Sequence, residues 1–365
     1  MLVGSGIGWW VSGTVTTGKL FTWGKNTSGQ LGIGTITNTS SPNQVGALTT
    51  WGYATGGRYH TAAISTTNKL YTWGLNTNGQ LGLGDTVNRS SPVQVGALTT
   101  WQNIACGCYH NLALSTTGKI YTWGKNNYGQ LGQGTITSLS SPVQVGALTT
   151  WAKVSCGQYH AAAISTTGKL YTWGWNHYGQ LGLGDIVSRS SPVQVGALTT
   201  WASVGCGFRH TFAISTSGKL YSWGWNNFGQ LGQGNITFLS SPVQVGALTT
   251  WAQADGGRYS SSAISTTHKL YGWGKNNYGQ IGNSATTNLS SPVQVGALTT
   301  WASVQCGAQH AVALSTTGKL YTWGWNAVGE LGNGNSTSQS SPNQIGSLTS
   351  WTLAATGFYH GTAIN

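Results

Sequence analysis

Apolar and polar residues alternate over short stretches of this chain, and glycine-rich segments separate those stretches. In one unit of fifty residues the alternation predicts four strands, over 151–156, 160–165, 169–173 and 192–195. The last of these contains Pro192, which suits the edge of a sheet. No stretch has the apolar spacing of an amphipathic helix. The pattern therefore predicts an all-β fold of small antiparallel units.

The same unit recurs every fifty residues without an insertion or deletion. One tryptophan column comprises Trp23, Trp73, Trp123, Trp173, Trp223, Trp273 and Trp323, and a second comprises Trp51, Trp101, Trp151, Trp201, Trp251, Trp301 and Trp351. A tight-turn column holds Gly18, Asn68, Gly118, Gly168, Gly218, His268 and Gly318, residue types that tolerate the positive φ of a hairpin turn. Seven four-stranded units predict a seven-bladed β-propeller whose neighbouring blades complete each other's core.

The two ends of the chain predict how the ring closes. Residues 351–365 repeat the opening half of a unit, and residues 15–50 supply the closing half of one. We expect residues 351–365 to complete the blade begun by 15–50, which makes 1–365 a single propeller domain. Residues 1–12 are then a surplus segment.

Several motif residues recur between units, most of them in nearly all units, and Asp185 and Arg189 in two units. In one unit they are Trp173, Gly174, Asn176, the run 179–185, Arg189, Pro192, Gly207 and His210. This pattern resembles the regulator-of-chromosome-condensation repeat over nearly the whole chain. The resemblance implies a seven-bladed propeller, in agreement with the strand pattern. Its family includes guanine-nucleotide exchange factors for a small nuclear GTPase, chromatin binders and interaction scaffolds.

The exchange factors of that family carry a β-wedge inserted in one blade, acidic residues on one face and a basic N-terminal tail. Here every unit has fifty residues, so there is no room for a wedge, and no basic tail is present. We therefore expect the fold to carry over without the exchange activity.

Charge is scarce, at 5% of residues, and the net charge of +12 arises because the acids are few. The acidic residues are Asp85, Asp185, Asp255 and Glu330. We expect Asp85 with Arg89, and Asp185 with Arg189, to be local ion pairs. Nineteen Trp and 15 Tyr argue against disorder. No catalytic constellation, targeting segment or apolar run of membrane-spanning length is visible, so we expect no enzyme and no membrane insertion.

Four units share a Cys-x-x-x-His motif, formed by Cys106 and His110, Cys156 and His160, Cys206 and His210, and Cys306 and His310. A zinc site would need four converging ligands, but each blade offers two. We expect buried small residues and histidines that hydrogen-bond to backbone across the blade, with no metal and no cofactor. Disulfides between equivalent positions are also not expected.

A lysine column runs through all units, at Lys19, Lys69, Lys119, Lys169, Lys219, Lys269 and Lys319. The propeller would place these ammonium groups on a circle. That circle either attracts a polyanion or keeps a weakly charged chain in solution. Arginines are not clustered as in proteins that read bases, so we expect no specific nucleic-acid partner.

The units differ most in the loop after the Trp-Gly pair. The large aromatic residues there are Tyr128, Trp175, Tyr178, Trp225, Phe228, Tyr278 and Trp325. Large aromatics in polar loops are typical of contact residues, so these are the candidate binding residues. They would suit a protein or a surface glycan. The alternative is that the loops pack on their own neighbours.

Composition suggests where the propeller works. The low charge and near-identical repeats resemble adhesion, fibre and decoration proteins of phages and cell surfaces. We therefore predict a non-enzymatic binding protein of a virion or extracellular surface, which contacts a protein, a glycan or other virion proteins. The alternative is a cytoplasmic scaffold or an exchange-factor-like regulator of a small GTPase.

Overall fold

Seven antiparallel four-stranded sheets form a closed ring in the computed structural model, which describes residues 18–365. The first strand of each blade contacts the first strands of both neighbouring blades, so these strands surround the central axis. The all-β, seven-bladed prediction is confirmed. The part of the chain that the structure describes has no helix long and apolar enough to cross a membrane.

The strands are numbered in chain order and described from the axis to the rim. The innermost are β3 (Trp51–Gly56), β7 (Trp101–Cys106), β11 (Trp151–Cys156), β15 (Trp201–Cys206), β19 (Trp251–Gly256), β23 (Trp301–Cys306) and β27 (Leu353–Thr356). The second strands are β4 (His60–Ser65), β8 (His110–Ser115), β12 (His160–Ser165), β16 (His210–Ser215), β20 (Ser260–Ser265), β24 (His310–Ser315) and β28 (His360–Ile364).

The third strands are β5 (Leu70–Gly74), β9 (Ile120–Gly124), β13 (Leu170–Gly174), β17 (Leu220–Gly224), β21 (Leu270–Gly274), β25 (Leu320–Gly324) and β1 (Leu20–Gly24). The rim strands are β6 (Arg89–Gln94), β10 (Leu139–Gln144), β14 (Arg189–Gln194), β18 (Leu239–Gln244), β22 (Leu289–Gln294), β26 (Gln339–Gln344) and β2 (Thr39–Gln44). Blade 1 begins with β3, blade 2 with β7, and so on to blade 7, which begins with β27.

The hydrophobic core lies between blades rather than within them. One cluster joins Ile64 and Leu70 of blade 1 to Trp101, Ile104 and Trp123 of blade 2. Equivalent clusters fill the other interfaces. Each sheet has apolar residues on both faces, so an isolated blade would leave much of that surface in water. The two tryptophan columns are the largest components of this core.

The hairpin turns follow the sequence prediction. Asn68 and His268 adopt φ values of 57° and 58°, and the glycines of this column also have positive φ at Gly118, Gly168, Gly218 and Gly318. At Gly118 a β-carbon would also collide with the carbonyl oxygen of Thr149. Glycine therefore relieves both backbone strain and a steric clash at this turn.

Two strand boundaries differ from the prediction. The third strand of blade 3 is Leu170–Gly174, one residue later than expected, and the rim strand is Arg189–Gln194 rather than 192–195. The cause is a bulge, because Thr172 pairs with Val193 whereas Gly174 pairs with Arg189. The extra rim-strand residues are Arg189, Ser190 and Ser191, a polar run that looks like a loop in the sequence.

The ring closes as predicted, by pairing of the two ends of the chain. Strand β28 lies antiparallel to β1, with Leu20 opposite Ile364 and Gly24 opposite His360. Blade 7 thus consists of β27, β28, β1 and β2. The prediction of a surplus segment over 1–12, and the start of the closing blade at 15–17, lie outside the described residues.

Each propeller has two ends, and here they differ in character. We call one the hairpin end, formed by the turns between second and third strands and by the connections to the next blade. In blade 1 the turn lies at 66–69, and Asn68 accepts a 3.1 Å hydrogen bond from the backbone N of Trp101. We call the other the variable end, formed in blade 1 by residues 57–59 and 75–88.

Candidate functional site at the variable end

The side chains that recur in the glycine-rich loop of each blade form hydrogen bonds within that loop. In blade 3 the Asn176 Oδ1 accepts a 2.9 Å hydrogen bond from the backbone N of Leu181, and its Nδ2 donates to the carbonyl oxygens of Asp185 and Val187 at 3.1 Å. The Gln180 Oε1 accepts from the backbone N of Tyr178 at 2.9 Å. The recurring Asn and Gln therefore fix the backbone of the loop. The residues that vary between units are carried on this fixed backbone.

A second loop joins the first at this end. The backbone N of Trp175 donates a 2.8 Å hydrogen bond to the carbonyl oxygen of Tyr159, which immediately precedes the histidine column. The equivalent bond exists in all seven blades, for example from Lys25 to Tyr359 and from Trp225 to Arg209. The short loop before each histidine is thereby fixed beside the variable loop.

Five of the predicted binding residues form one aromatic chain across blades 2, 3 and 4. Ring centroids lie 5.7 Å apart for Tyr128 and Trp175 and 5.3 Å apart for Trp175 and Tyr178. They are 6.0 Å apart for Tyr178 and Trp225 and 5.8 Å apart for Trp225 and Phe228. The contacts across blade boundaries, such as that of Tyr128 with Trp175, arise because each loop leans over the next blade.

The other two predicted residues stand apart from this chain. Tyr278 and Trp325 pair with each other at 4.2 Å, across the boundary of blades 5 and 6. Tyr128 is exposed, whereas Trp175, Tyr178, Phe228, Tyr278 and Trp325 are half-buried. Trp225 is 8% exposed, so it supports the surface from beneath. The sequence left two interpretations, contact residues for a partner or loops that pack on their neighbours. The structure has features of both, because the loops pack on each other and still leave aromatic surface exposed.

Arg209 lies at the centre of the aromatic chain. Its guanidinium carbon is 5.1 Å from the Trp175 ring, 5.2 Å from the Tyr178 ring and 5.5 Å from the Trp225 ring. It also donates hydrogen bonds to the Tyr178 hydroxyl at 3.2 Å and to Gln158 Oε1 at 3.1 Å. These contacts fix the arginine in place without neutralising its charge.

Five further cations repeat this arrangement around the variable end. Each lies 4.7–5.8 Å from the centroids of two aromatic rings, and they are Lys25, Arg58, Lys125, Arg258 and Lys275. Within residues 18–365 none of the six forms a salt bridge, since the two present join Arg89 to Asp85 and Arg189 to Asp185. The variable end is thus a ring of aromatic residues and of positive charges that no salt bridge within residues 18–365 neutralises.

A large part of this surface was not predicted from the sequence. Ten aromatic and cationic residues just before the histidine column lie between the predicted strands and were not among the candidate binding residues, namely Arg58, Tyr59, Tyr109, Tyr159, Phe208, Arg209, Arg258, Tyr259, Phe358 and Tyr359. A signal was present, because the position two residues before the histidine column varies between units, from Arg58 to Gln158 to Phe208, and the next position is aromatic in five of the seven units. Their proximity to that loop follows only from the blade's hydrogen bonding.

Of the four carboxylates, only Glu330 lies close enough to one of the six cations for the charge to act on it, and that cation is Lys25, with which it forms no salt bridge. The predicted ion pairs are present, at 2.6 Å for Asp85 with Arg89 and 2.5 Å for Asp185 with Arg189. The backbone N–H of Val87 and the Arg89 side chain hold the pKa of Asp85 below its usual value. Glu330 is buried, which raises its pKa, and it accepts a 2.9 Å hydrogen bond from the backbone N of Val328.

The innermost strands line a central channel of about 550 Å³. Its side chains bridge neighbouring blades, since Asp255 Oδ2 accepts a 2.8 Å bond from the backbone N of Cys306 and Lys153 donates to the carbonyl oxygen of Ala202. Burial raises the pKa of Asp255 to about 7. Cys106, Cys156 and Cys306 are half-buried beside this channel rather than fully buried as expected, and all five cysteines are free.

The histidine column joins blades, and the predicted backbone contact is present at His110 and His310, which face the backbone of His160 and His360, but not at the other four histidines. The expected partner was backbone, but His60 Nε2 lies 2.9 Å from Asn111 Oδ1 and His360 Nε2 lies 2.8 Å from Thr61 Oγ1. In both cases the partner is a side chain of the next blade. Burial lowers the pKa of His60 to about 4 and that of His160 to about 3. Within residues 18–365 no three His, Cys, Asp or Glu side chains converge as a metal site.

The lysine column lies at the opposite, hairpin end. Each lysine follows a hairpin turn, as Lys69 follows Asn68. The lysines and the aromatic surface are therefore separated by the length of the strands. A ligand of one end does not contact the other.

A propeller of seven such blades defines a repeat class, with Trp-Gly and Asn in every blade and Gly-Gln-Leu-Gly in five, replaced by Gly-Gln-Ile-Gly at 279–282 and Gly-Glu-Leu-Gly at 329–332. The profile of the RCC1-like domain matches residues 5–257, and that of the regulator of chromosome condensation (RCC1) repeat matches residues 267–314 and 317–364. The chain belongs to the RCC1-repeat family. No curated protein matches it.

Solved structures of the family share the fold. Human WBSCR16 is 24% identical over 95% of this chain and 98% of its own, with a TM-score of 0.86. Yeast RCC1 (Prp20), in a structure with Kap60, is 20% identical over 96% of this chain and 89% of its own, with a TM-score of 0.86. Prp20p from Saccharomyces cerevisiae, described with its binding to Gsp1p and histones, is 21% identical over 96% and 92%, with a TM-score of 0.85.

Proposed function

We propose that this chain is a non-enzymatic, protein-binding propeller whose variable end holds an acidic segment of a partner protein. The observation that carries the proposal is the ring of six cations that have aromatic neighbours and, within residues 18–365, no salt bridge. Uncompensated charge at a surface attracts the opposite charge and raises association rates.

The aromatic residues make this surface more than an electrostatic patch. Rigid aromatic rings provide apolar contact area at a low entropic cost, and they hold the cations in fixed directions. Arg209 uses its contacts with Tyr178 and Gln158 for orientation, and an arginine has five N–H donors. Donors that remain free suit a carboxylate, which accepts two parallel hydrogen bonds from a guanidinium.

The relatives support a protein partner. Yeast RCC1 (Prp20) was solved with Kap60, and Prp20p is described with its binding to Gsp1p and histones. These similarities favour the alternative of an intracellular scaffold over a virion or cell-surface adhesin. A glycan or virion partner, and an extracellular location, remain predictions from composition alone.

A second candidate is an exchange-factor-like regulator of a small GTPase, favoured by the likeness to the Gsp1p-binding propeller. Against it, Asp85 and Asp185 are paired with arginines, Asp255 bonds to backbone in the channel and Glu330 is buried. We expect no acceleration when the protein is added to a small GTPase loaded with fluorescent GDP. Release that rises with protein concentration would replace the scaffold proposal by this one.

The binding proposal is tested with a labelled peptide of alternating glutamate and tyrosine. Two variants of equal charge are compared. The variable-end triple is Lys25→Gln, Lys125→Gln and Lys275→Gln, and the hairpin-end triple is Lys119→Gln, Lys169→Gln and Lys219→Gln. We expect the first to weaken binding at least about tenfold, since each cation near a bound carboxylate contributes about 1 kcal/mol, and the second to bind as wild type. Equal affinities for wild type and the variable-end triple would contradict the proposal.

A further inference from the structure

Seven leucines form a ring on the hairpin end. Each belongs to the connection that runs from a rim strand to the next blade, and each is 37–51% exposed. They are Leu48, Leu98, Leu148, Leu198, Leu248, Leu298 and Leu348. Single exposed leucines need no explanation, but a repeated ring of them on one face is an organised apolar surface.

This ring is flat. Every leucine occupies the same position in a fifty-residue unit, and six of the seven connections are fixed by the same hydrogen bond. The backbone N of Thr66 donates to Thr50 O at 2.8 Å, and Thr116, Thr166, Thr216, Thr266 and Thr316 make the equivalent bond at 2.7–2.8 Å. Blades related by rotation about one axis place equivalent atoms at one height, so the leucines lie in one plane.

Seven lysines share this end with the leucines. Lys19 is exposed and the other six members of the column are half-buried. None of them forms a salt bridge within residues 18–365, and no side-chain carboxylate lies at this end. Asp85, Asp185 and Glu330 belong to the loops of the variable end, and Asp255 lines the channel.

We propose that the hairpin end is a peripheral docking face for an anionic lipid membrane surface. The exposed leucine side chains would enter the headgroup region of the membrane, and the lysines beside them would pair with anionic headgroups. The flatness of the ring selects this occupant, because a bilayer can contact all seven blades at once. A linear polyanion touches only an arc of the ring, and a second copy would bring lysine against lysine. The variable end then faces away from the membrane and stays free for a protein partner.

The test is co-sedimentation of the full-length protein with vesicles of phosphatidylcholine, with and without phosphatidylserine. We expect binding only to the phosphatidylserine vesicles, weakened by salt. The hairpin-end triple should bind about a hundredfold more weakly, as three lysines near a charged surface act together. The variable-end triple removes the same charge from the opposite end and should bind as wild type. Equal loss in both triples would show net-charge adsorption and overturn the proposal.

The leucines are tested separately by Leu148→Ser, Leu198→Ser and Leu248→Ser in one chain. These side chains are exposed, so we expect an unchanged melting temperature and at least about tenfold weaker vesicle binding from the lost apolar insertion. A short single-stranded oligonucleotide serves as the alternative ligand. If it binds with an affinity that depends on the lysines and not on the leucines, while vesicles do not bind, the face is a polyanion site and the membrane proposal is wrong. The glutamate–tyrosine peptide tests the variable end and the vesicles test the hairpin end. The protein-binding proposal and the membrane proposal can therefore fail independently of each other.

Discussion

The indole Nε1 of Trp73 donates a 3.0 Å hydrogen bond to the backbone carbonyl oxygen of Gln30, which belongs to the preceding blade. The equivalent bond occurs at every blade boundary and, at the closure, runs from Trp23 to Glu330 at 2.9 Å. A residue from the apolar core thus also satisfies the buried backbone of the neighbouring loop. This explains why the column requires tryptophan rather than any large apolar residue.

That relationship gives a matched pair of variants. The carbonyl oxygen of Gln30 also accepts a 2.7 Å bond from Thr61, whereas within residues 18–365 that of Gln130 has Trp173 as its one hydrogen-bond donor. Trp73→Phe and Trp173→Phe remove similar volume, but only the second strands a buried acceptor. We expect Trp173→Phe to lower the free energy of unfolding by about 1–3 kcal/mol more than Trp73→Phe. Urea denaturation measures both, and equal losses would contradict this role of the bond.

Closure of the ring predicts the effect of a truncation. Removing residues 351–365 takes β27 and β28 from blade 7 and leaves β1 paired with β2 alone, with its inner edge open. The exposed strand edge should cause a lower melting temperature and aggregation on size-exclusion chromatography. A synthetic peptide of residues 351–365, added in excess, should restore the monomer peak. A truncated chain that elutes and melts like the full one would show that blade 7 does not need this closure.

The buried histidines predict a dependence of stability on pH. Burial lowers the pKa of His60 and His310 to about 4, and that of His110, His160, His210 and His360 to about 3, from 6.5 in the unfolded chain. The folded state therefore favours neutral imidazole, so this stability is present above pH 6.5 and is lost as pH falls towards 3–4. Each histidine contributes a slope of at most about 1.4 kcal/mol per pH unit.

The measurement is the free energy of unfolding between neutral pH and the onset of acid unfolding. His310→Ser introduces the residue that blade 5 has at this position, Ser260. It should reduce the pH dependence of the free energy of unfolding by the contribution of about one proton. His177→Ser, in an exposed loop position, is the control. Asp255 acts in the opposite direction, since its raised pKa gives stability below pH 3.8 that is lost as pH rises through 7. An unchanged slope in His310→Ser would show that this histidine does not contribute.

The fold could be predicted because its signals are local and repeat in every unit. Asn68 and His268 in a glycine column indicated the hairpin, and the tryptophan columns indicated the core between blades. The binding surface could be predicted only in part. Contacts such as that of Tyr128 with Tyr159, at 5.2 Å, depend on how far one loop leans across a blade boundary. Sequence spacing does not contain that distance, so the cations before the histidine column were missed.

The central claim is that charge and aromatic contact act together at the variable end. It is tested most directly by titrating the glutamate–tyrosine peptide against wild type and against Trp175→Ala, Tyr178→Ala and Phe228→Ala in one chain, at several salt concentrations. Trp225 is retained because it is buried. We predict that wild-type affinity falls as salt rises and that the aromatic triple binds at least about a hundredfold more weakly at every salt concentration, since each contact aromatic contributes on the order of 1–2 kcal/mol. Binding that is insensitive to salt and survives the aromatic triple would contradict the account.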